Sequence, residues 1–539
     1  MSYFTSSQIF LVPSFDLEEK EQARIDRFLA FLEDSGVGAI IEKEIRNNSA
    51  AGGRPNCNYY RLFAVILYGF AFDRYSLRDI ESACRFDLRY ISIMEQARVD
   101  HSTVCRFINK VIVPNQKEIF ACLCKEIRRE LGLCFDVAFI DGTKFEANAN
   151  KYRFVWKPTA FHRKLTESAW RIFEKNGLLA DRRKEEMIRS STLATAVSEA
   201  DGKKCGPDVM KALESMLAKA LEYEEKEAIC GPGRKSYYKT DHDATAMCLK
   251  SDYYSGLGSN MHAAYNVQAL VVRGFIFAYY VSQSRTDYAD FIPVLDSFHE
   301  NYGQYPAKVC ADAGYGVIGN YRYLREHGIG NYVKYQSWDG NVTGRNPDCY
   351  SLLDDGRLKC MGGRLGSETA IESRHPKTAG AVFFRIDGCT GCPFSGYCRR
   401  FMKDQDGDSR IFEVVKEQQL YKQEAGRNLL SPKGIEIRVN RSIQVEGVFG
   451  ILKQDYGRQR LRRRGLEKVS AEMMLYFLGL NLAKLFRFFQ TGSLNRFWKA
   501  PEGLRPEEFR KPSARKLSKK GKKINQRVLE SMERRKRGK

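Results

Sequence analysis

Long apolar runs are missing from this chain. The longest, Leu62 to Phe72, is 11 residues, short of the ~18 that a membrane-spanning helix asks for. The N-terminal segment lacks a basic stretch ahead of an apolar one and lacks a small-residue cleavage site, so no secretory signal is expected. A disulfide framework is excluded on the same ground. The 15 cysteines are an odd number, mostly scattered singly among apolar residues, and without secretion they read as small buried hydrophobes. Fragments such as Gly362-Gly363 form no phosphate-binding loop, so no nucleoside triphosphate is implied. No internal repeat is visible. The expectation is a soluble cytoplasmic chain with no membrane partner.

Acidic residues are the minority charge. Lys and Arg total 88 against 66 Asp and Glu, a formal +22. Residues 501–539 carry a net +10, which leaves +12 on residues 1–500. A body that is basic as well as its tail favours a polyanionic partner, although a merely solvated basic protein has the same balance. At 539 residues the chain has room for three or four units of ~150 each. Hydrophobic residues at 43% supply real cores and exclude wholesale disorder.

Residues 15–130 read as helical. Arg61–Phe72 forms a buried helix, Ser76 opens a second in capping-box style, and Ser102 caps a third that starts near His101. Short helices carrying Arg78, Arg85, Arg89 and Arg106 fit a helix-turn-helix DNA reader, and they fit an ordinary helical bundle as well. From Cys134 the period changes. Strands are expected at 135–140, 263–272, 274–281, 307–311 and 330–334, with a hairpin at Arg273-Gly274 and helices at 287–302 and 321–327. A charged helical insertion runs from about 158 to 230. The order is that of an α/β protein with a mixed sheet. Residues 337–410, rich in Gly, Cys and Asp, read as a loop-dominated insertion. Helical periodicity returns at Ser442, and a strongly apolar helix covers about 471–489. The last forty residues are a polar, basic, partly ordered tail.

Three carboxylates occupy positions a metal site can use. Asp141 ends the first strand, Asp312 ends a later one, and Glu446 lies on the helix beyond the insertion. Side chains at strand ends are held rigidly yet face an open crevice. Carboxylates suit Mg²⁺, which prefers oxygen and keeps waters or phosphates as its remaining ligands. Two such ions about 4 Å apart can activate a water or a 3′-hydroxyl and stabilise the leaving oxygen at phosphorus. Lys453, seven residues after Glu446, returns to nearly the same helix face and can reach the same phosphate as a point charge. Its plain alternative is a solvated cation. The run Arg458, Arg460, Arg462, Arg463 and Arg464 follows that helix and would bind DNA backbone, or simply be a solvated helix end. Asp136 has the wrong strand parity to join Asp141. Glu146 and Asp287 read as structural or supporting residues, and Trp156 and Trp170 as core aromatics rather than DNA contacts.

One cysteine group stands apart: Cys389-x2-Cys392-x5-Cys398, with Cys360 upstream. A closed set of four thiolates would staple an insertion that has little core, as structural Zn²⁺ does. Cys349 or His375 could replace Cys360. Reduced, unliganded thiols are the alternative, and Pro393-Phe-Ser-Gly396 is a turn where a redox pair would need a helix.

The contexts of the three carboxylates carry a resemblance. Ile140-Asp141-Gly-Thr-Lys-Phe-Glu-Ala-Asn-Ala-Asn-Lys-Tyr152, Val309-Cys-Ala-Asp312-Ala-Gly-Tyr-Gly316 and Arg441-x4-Glu446-x6-Lys453 resemble, in order, the three acidic motifs of bacterial insertion-sequence DDE transposases. Thr240–Thr245, Ala264–Gln268, Gln283–Asp287 and Arg464–Lys468 are similar to that family too. Leu67–Phe70 through Asp100–Thr103 resembles its InsH-type N-terminal domain. The resemblance spans roughly residues 15 to 490. It implies an RNase H-like mixed-sheet core with large insertions, preceded by an all-α DNA-binding domain. The implied boundaries are 1–130 for the helical domain and 131–336 for the first part of the core, with its helical insertion at about 155–255. A cysteine-rich, zinc-ribbon-like insertion at 337–415, the rest of the core at 416–492 and a basic tail at 493–539 complete it.

The implied activity is Mg²⁺- or Mn²⁺-dependent cleavage of double-stranded DNA at element ends, then 3′-hydroxyl strand transfer into target DNA by a homodimer. Asp141, Asp312 and Glu446 would hold two ions, and Arg441 would bind phosphate. One departure stands out: related transposases often have a tyrosine where this chain has Arg438, which puts the handling of a hairpin intermediate in doubt. A nuclease without strand transfer, or a non-catalytic zinc-containing DNA-binding regulator, would share much of this pattern.

Overall fold

The structure, a computed structural model, describes residues 17–43, 58–72, 75–249, 261–338, 350–371, 379–400, 402, 407–494, 497–501 and 519–537. Cys349 and His375 lie outside the described residues.

Every described element before residue 132 is helical. Tyr59–Ala71 is buried on almost all sides, and Asn58 caps it by accepting from the Arg61 amide at 3.1 Å. Leu77–Phe86 does start at Ser76, but no side-chain cap bond forms there. The cap of His101–Phe107 is Asp100 rather than Ser102. Its carboxylate accepts from the Thr103 amide at 2.8 Å, because an ionised oxygen outcompetes a hydroxyl for an exposed N–H. This helix passes through a wide π turn, Ile108–Ile112, into Val113–Leu131. Pro114 has no N–H to return to the preceding turn, and the widened turn accommodates that loss.

The central sheet contains β1 (Val137–Glu146), β4 (Thr245–Cys248), β5 (Met261–Val272), β6 (Phe275–Ser282), β7 (Lys308–Ala311) and β8 (Gly330–Asn331). Its order is β4-β5-β1-β7-β8, with β6 also on β5. β1 runs antiparallel to β5 and parallel to β7. The β5–β6 hairpin turns at Arg273 and Gly274, both with positive φ (52° and 84°), the turn that matches strand twist. The mixed α/β class expected from the sequence is therefore present.

Two strands, β2 (Phe154–Trp156) and β3 (Ser236–Tyr238), form a separate ribbon. Between them the helices Thr159–Asn176, Ser190–Gly202 and Pro207–Cys230 pack a core of their own, including Trp170, Phe173 and Leu213. The stretch read as loop-dominated proves to be a five-stranded antiparallel sheet: β9 (Tyr350–Leu352), β10 (Leu358–Cys360), β11 (Leu365–Glu368), β12 (Ala381–Asp387) and β13 (Ser409–Val415), in the order β13-β12-β11-β10-β9. It too has its own core, built on Leu358, Phe384, Ile386 and Phe412. The strands are short and broken by Gly and Cys, so the alternation that identifies a strand rarely lasts long enough to be seen. Helix also returns earlier than Ser442, at Lys416–Leu430 and Pro432–Arg441.

Leu466–Thr491 is long and apolar enough to cross a membrane, yet 83% of its apolar window is buried inside the protein. It packs against Tyr59–Ala71 and β6, so the N-terminal helices and the central sheet share one hydrophobic core. The tail contains a helix, Lys519–Arg537, seated on the short helix Ser395–Cys398 of the cysteine insertion. Asn525 clamps it, accepting from the Tyr397 amide at 2.6 Å and donating to the Pro393 carbonyl at 2.9 Å. Gly396 leaves the space: a Cβ there would lie 2.6 Å from the Asn525 carbonyl oxygen. Asn525→Ala removes both bonds, and limited trypsin digestion should then cut this Lys- and Arg-rich helix at least several-fold faster.

Candidate active site

The parallel ladder between β1 and β7 ends at the pair Ile140 and Ala311. Asp141 and Asp312 are the next residues on each strand, so the end of the ladder sets them side by side. β1 does not end at Asp141, as expected from the sequence. It continues to Glu146, paired with β5 and, at Glu146 itself, bridged to Arg460. Glu446 arrives from a π turn, Ser442–Glu446, and a second π turn covers Ile451–Asp455. Wide turns rotate less per residue than α-helix, so Lys453 is not brought back over Glu446 by simple α periodicity.

Asp141, Asp312, Glu446, Arg441 and Lys453 nonetheless line one cavity of about 690 Å³, together with Gly142, Glu146 and Asp287. The Arg441 side chain, only 8% exposed, bridges two of the carboxylates at 3.2 Å to Asp141 and 3.1 Å to Glu446. Lys334 reaches Asp312 at 3.3 Å. Lys453 donates to the Thr143 hydroxyl at 2.7 Å and to the Lys144 carbonyl at 2.6 Å. Burial pushes the Asp141 carboxyl upward; Arg441 opposes the rise and the neighbouring Asp312 and Glu446 add to it. Burial also works against ionised Asp312, but the Ala313 amide, Arg441 and Lys334 outweigh it and hold that carboxyl low. Arg441 itself is penalised by burial and more than compensated by Asp141 and Asp312.

Behind the cavity lies a polar layer whose members the sequence placed only as family-like motifs. Asn266 and Gln268 sit two apart on β5, both fully buried, and donate to the Asp287 carboxylate at 2.8 and 3.2 Å. Tyr315 donates to Gln268. Gly142 is what lets Gln268 lie here, since a Cβ would come within 2.2 Å of its amide nitrogen. Asp287, read from sequence as a supporting residue, thus reaches the cavity wall with fixed orientation. The legible signal was the alternation of Asn266 and Gln268 inside an otherwise apolar strand.

Asp290 accepts from Ser282 at 2.6 Å and from Asn266 at 3.2 Å, and burial pushes its carboxyl up to about 6. A raised folded-state value means the native state holds the proton more tightly than the unfolded chain. Stability therefore falls as pH rises from about 4 through about 6, a loss of up to about 3 kcal/mol. Asp290→Asn should flatten that dependence, gaining stability over the parent at pH 8 and little at pH 4 in denaturant titrations.

The basic run is a bent segment rather than a helix end, and its members divide. Arg458 covers the Tyr75 ring at 4.3 Å, and Arg460 lies 3.6 Å from Glu146. The backbone amides of Arg462 and Arg463 are fixed by buried Glu472 at 3.1 and 2.9 Å. Their side chains, with Arg464, Lys468, Asn109 and Asn148, line an open pocket of about 410 Å³. Arg438 lies against the Trp338 ring at 5.4 Å. In the N-terminal helices, Arg85 and Arg89 are paired with Glu81 and Asp87. Asp136 pairs with Lys308 at 2.6 Å.

Cys360, Cys389, Cys392 and Cys398 line one small cavity of about 20 Å³ with Arg364, Arg399 and Arg410. Burial pushes the Cys389 thiol up, Arg399 opposes this, and Cys398 and Cys392 reinforce it. Gly362 gives the sulfurs room, as its Cβ would stand 3.0 Å from the Cys392 sulfur. Among the described residues, the three-ligand group drawn within 4.8 Å is a different one, Asp34, Glu126 and Glu130. Its carboxylates already pair with Arg129 and Arg27. Neither the cysteines nor the three cavity carboxylates are closed that tightly, and Arg441 stands between two of the latter. In donor type both sets fit their ions: oxygen only for a hard cation, sulfur only for zinc.

Comparison with known families agrees with the motifs. Residues 365–486 match the family model of the Transposase DDE domain, and residues 15–110 match that of the Transposase domain (DUF772). The first stretch contains Arg441, Glu446, Lys453 and the basic run, while Asp141 and Asp312 fall outside both. No curated protein and no solved structure matches the chain at a significant level. The two family matches bear out the resemblance to insertion-sequence DDE transposases and support a transposase function.

Proposed function

We propose that this chain is a metal-dependent DNA transposase that cuts the ends of its element and joins the new 3′-hydroxyl to target DNA. The observation that carries this is the convergence of Asp141, Asp312 and Glu446 on one cavity past the end of the β1/β7 ladder. The strand order β6-β5-β1-β7-β8, antiparallel in its first half and parallel in its second, supports an RNase H-like core. The helices before residue 132 and the pocket of Arg462, Arg463 and Arg464 are the DNA-facing parts of this reading.

The three carboxylates would hold two Mg²⁺ or Mn²⁺ ions, which supply an activated water or hydroxyl and charge stabilisation at phosphorus. This chain's own contribution is positional. Asp141 is the more sheltered of the two Arg441 partners, 23% exposed, whereas Glu446 is half exposed. Arg441 balances the carboxylates in their absence and is placed to bind a phosphate oxygen. Lys453 is anchored beside Thr143 with its charge toward the same cavity. The cysteine group would hold one Zn²⁺ that fastens β10 to the segment 389–398. A homodimer in the cytoplasm, cutting two element ends together, completes the reading.

The test is a linear duplex carrying the flanking ends of the gene, incubated with Mg²⁺ or with EDTA. Nicks at the ends plus joined products are expected, with neither in EDTA. Nicks without joining would leave a nuclease, and binding without cleavage in Mg²⁺ or Mn²⁺ would leave a DNA-binding regulator. The purified chain should also carry about one zinc per molecule by elemental analysis, and Cys392→Ser should lose it.

A further inference from the structure

Tyr152, Phe154 and Trp156 alternate along the edge of the β2–β3 ribbon and are exposed by 78%, 42% and 62%. Single exposed aromatics are ordinary on a protein surface, but three at alternate positions, Tyr152 in the turn ahead of β2 and Phe154 and Trp156 on the strand itself, are not. Trp170, the other tryptophan of this region, is buried in the insertion core, so the exposure of Trp156 is specific to the ribbon. Phe154 and Trp156 meet edge to face at 5.4 Å, which fixes their rings in a shared orientation. The Lys151 ammonium lies 5.4 Å over the Tyr152 ring. Arg153, Lys235 and Lys239 border the same ribbon, all exposed, and residues 147–157 contain no acidic side chain. The contacts of these rings are local: Phe154 also meets Tyr238 of β3 edge to face at 6.4 Å, while Tyr152 and Trp156 stay mostly exposed.

The ribbon also has a defined place. Asn148 donates to the Arg462 carbonyl at 2.8 Å and its own carbonyl accepts from Arg464 at 2.9 Å. Asn150 then turns the chain, its side-chain oxygen accepting from the Tyr152 amide at 2.9 Å. Four residues separate Asn148 from Tyr152, a span of at most about 14 Å. The chain thus passes from the carboxylate cavity to the arginine pocket and on to the aromatic edge within residues 141–156. Resting on the transposase reading, we propose that Tyr152, Phe154 and Trp156 form a stacking platform for unpaired bases of a DNA strand opened beside the cleavage cavity. Flat rings supply sequence-tolerant stacking, and the bordering cations match the phosphates of that strand.

The experiment compares the full-length chain on two labelled duplexes of equal length at one salt concentration. One is fully paired and the other carries four unpaired bases next to the element end. The parent chain is expected to bind the second about tenfold more tightly. The double variant Phe154→Ala/Trp156→Ala should bring that ratio to about one while binding to the paired duplex and the thermal midpoint stay unchanged. Trp156→Phe should retain most of the preference. A parent chain that binds and cuts DNA but shows no preference overturns the platform alone. So does a preference that survives in the double variant, including the case where the variant changes only the sedimenting mass and the rings serve a second copy of the chain. A parent chain that binds neither duplex overturns the transposase reading itself.

Discussion

Alanine at Asp141, Asp312 or Glu446 should lower end cleavage by about a thousandfold or more while leaving duplex binding intact. A thousandfold corresponds to about 4 kcal/mol of lost transition-state stabilisation, a reasonable cost for removing an ion ligand from an in-line displacement. The three positions should behave alike in binding and differ in stability. Each substitution removes a negative charge from a cavity that the proposed function assigns to phosphate, so affinity for paired duplex should hold or rise slightly. The effect on stability should be greatest at Asp141, because nearly buried Arg441 loses there its more shielded partner, 23% exposed against 56% for Glu446. Gel-resolved cleavage and fluorescence anisotropy on the same preparations check both halves. Cleavage that persists in all three variants would move the chemistry away from this cavity.

Gly479→Leu should destabilise the whole chain by about 3 kcal/mol or more, and even Gly479→Ala should destabilise it. The sign is informative for alanine. In an exposed helix interior that change gains about 1 kcal/mol from better helix propensity. Here a Cβ would stand 2.5 Å from the Phe70 carbonyl oxygen and 2.7 Å from its carbonyl carbon. Those are backbone atoms of Tyr59–Ala71, which cannot rotate aside as a side chain would. Phe70 is further held by Tyr75 and Tyr476, at ring separations of 5.2 and 5.4 Å. The expected result is a lower denaturation midpoint with an unchanged slope. A stabilised Gly479→Ala would mean that the two helices can part at little cost.

Why some features were legible in the sequence follows from what each signal measures. Asp141, Asp312 and Glu446 sat inside distinctive local strings, and the β5–β6 hairpin announced itself through Gly274. The Leu466–Thr491 helix was visible because a continuous apolar stretch needs no knowledge of its partners. The cysteine insertion was misread because its strands are held by cross-strand pairing and a small shared core, neither of which a local window contains. The Ser102 cap failed because the helix starts one residue earlier: Asp100 takes the N-cap position, and the Ser102 hydroxyl donates to its carboxylate. The exposure of Trp156 was invisible because composition favours burying tryptophan, and only the ribbon's edge position shows that nothing covers it. Lys453 depended on helix phase, and the π turn Ile451–Asp455 changed the phase after Glu446 without leaving a mark in the spacing.

The single core shared by the N-terminal helices and the central sheet has a consequence for how a length of duplex would be measured. Asn109 holds Arg463 at 2.9 Å, and Gln116 reaches the Glu467 carbonyl at 3.3 Å. On the proposed transposase reading, a head built into the body in this way would act as a ruler rather than a leash. The offset between the duplex it would grip and the carboxylates would be written in backbone packing, not in the slack of a linker. Moving the cut by one base pair would then call for a rebuilt helix–sheet interface, a far larger change than adding or removing a few residues of tether.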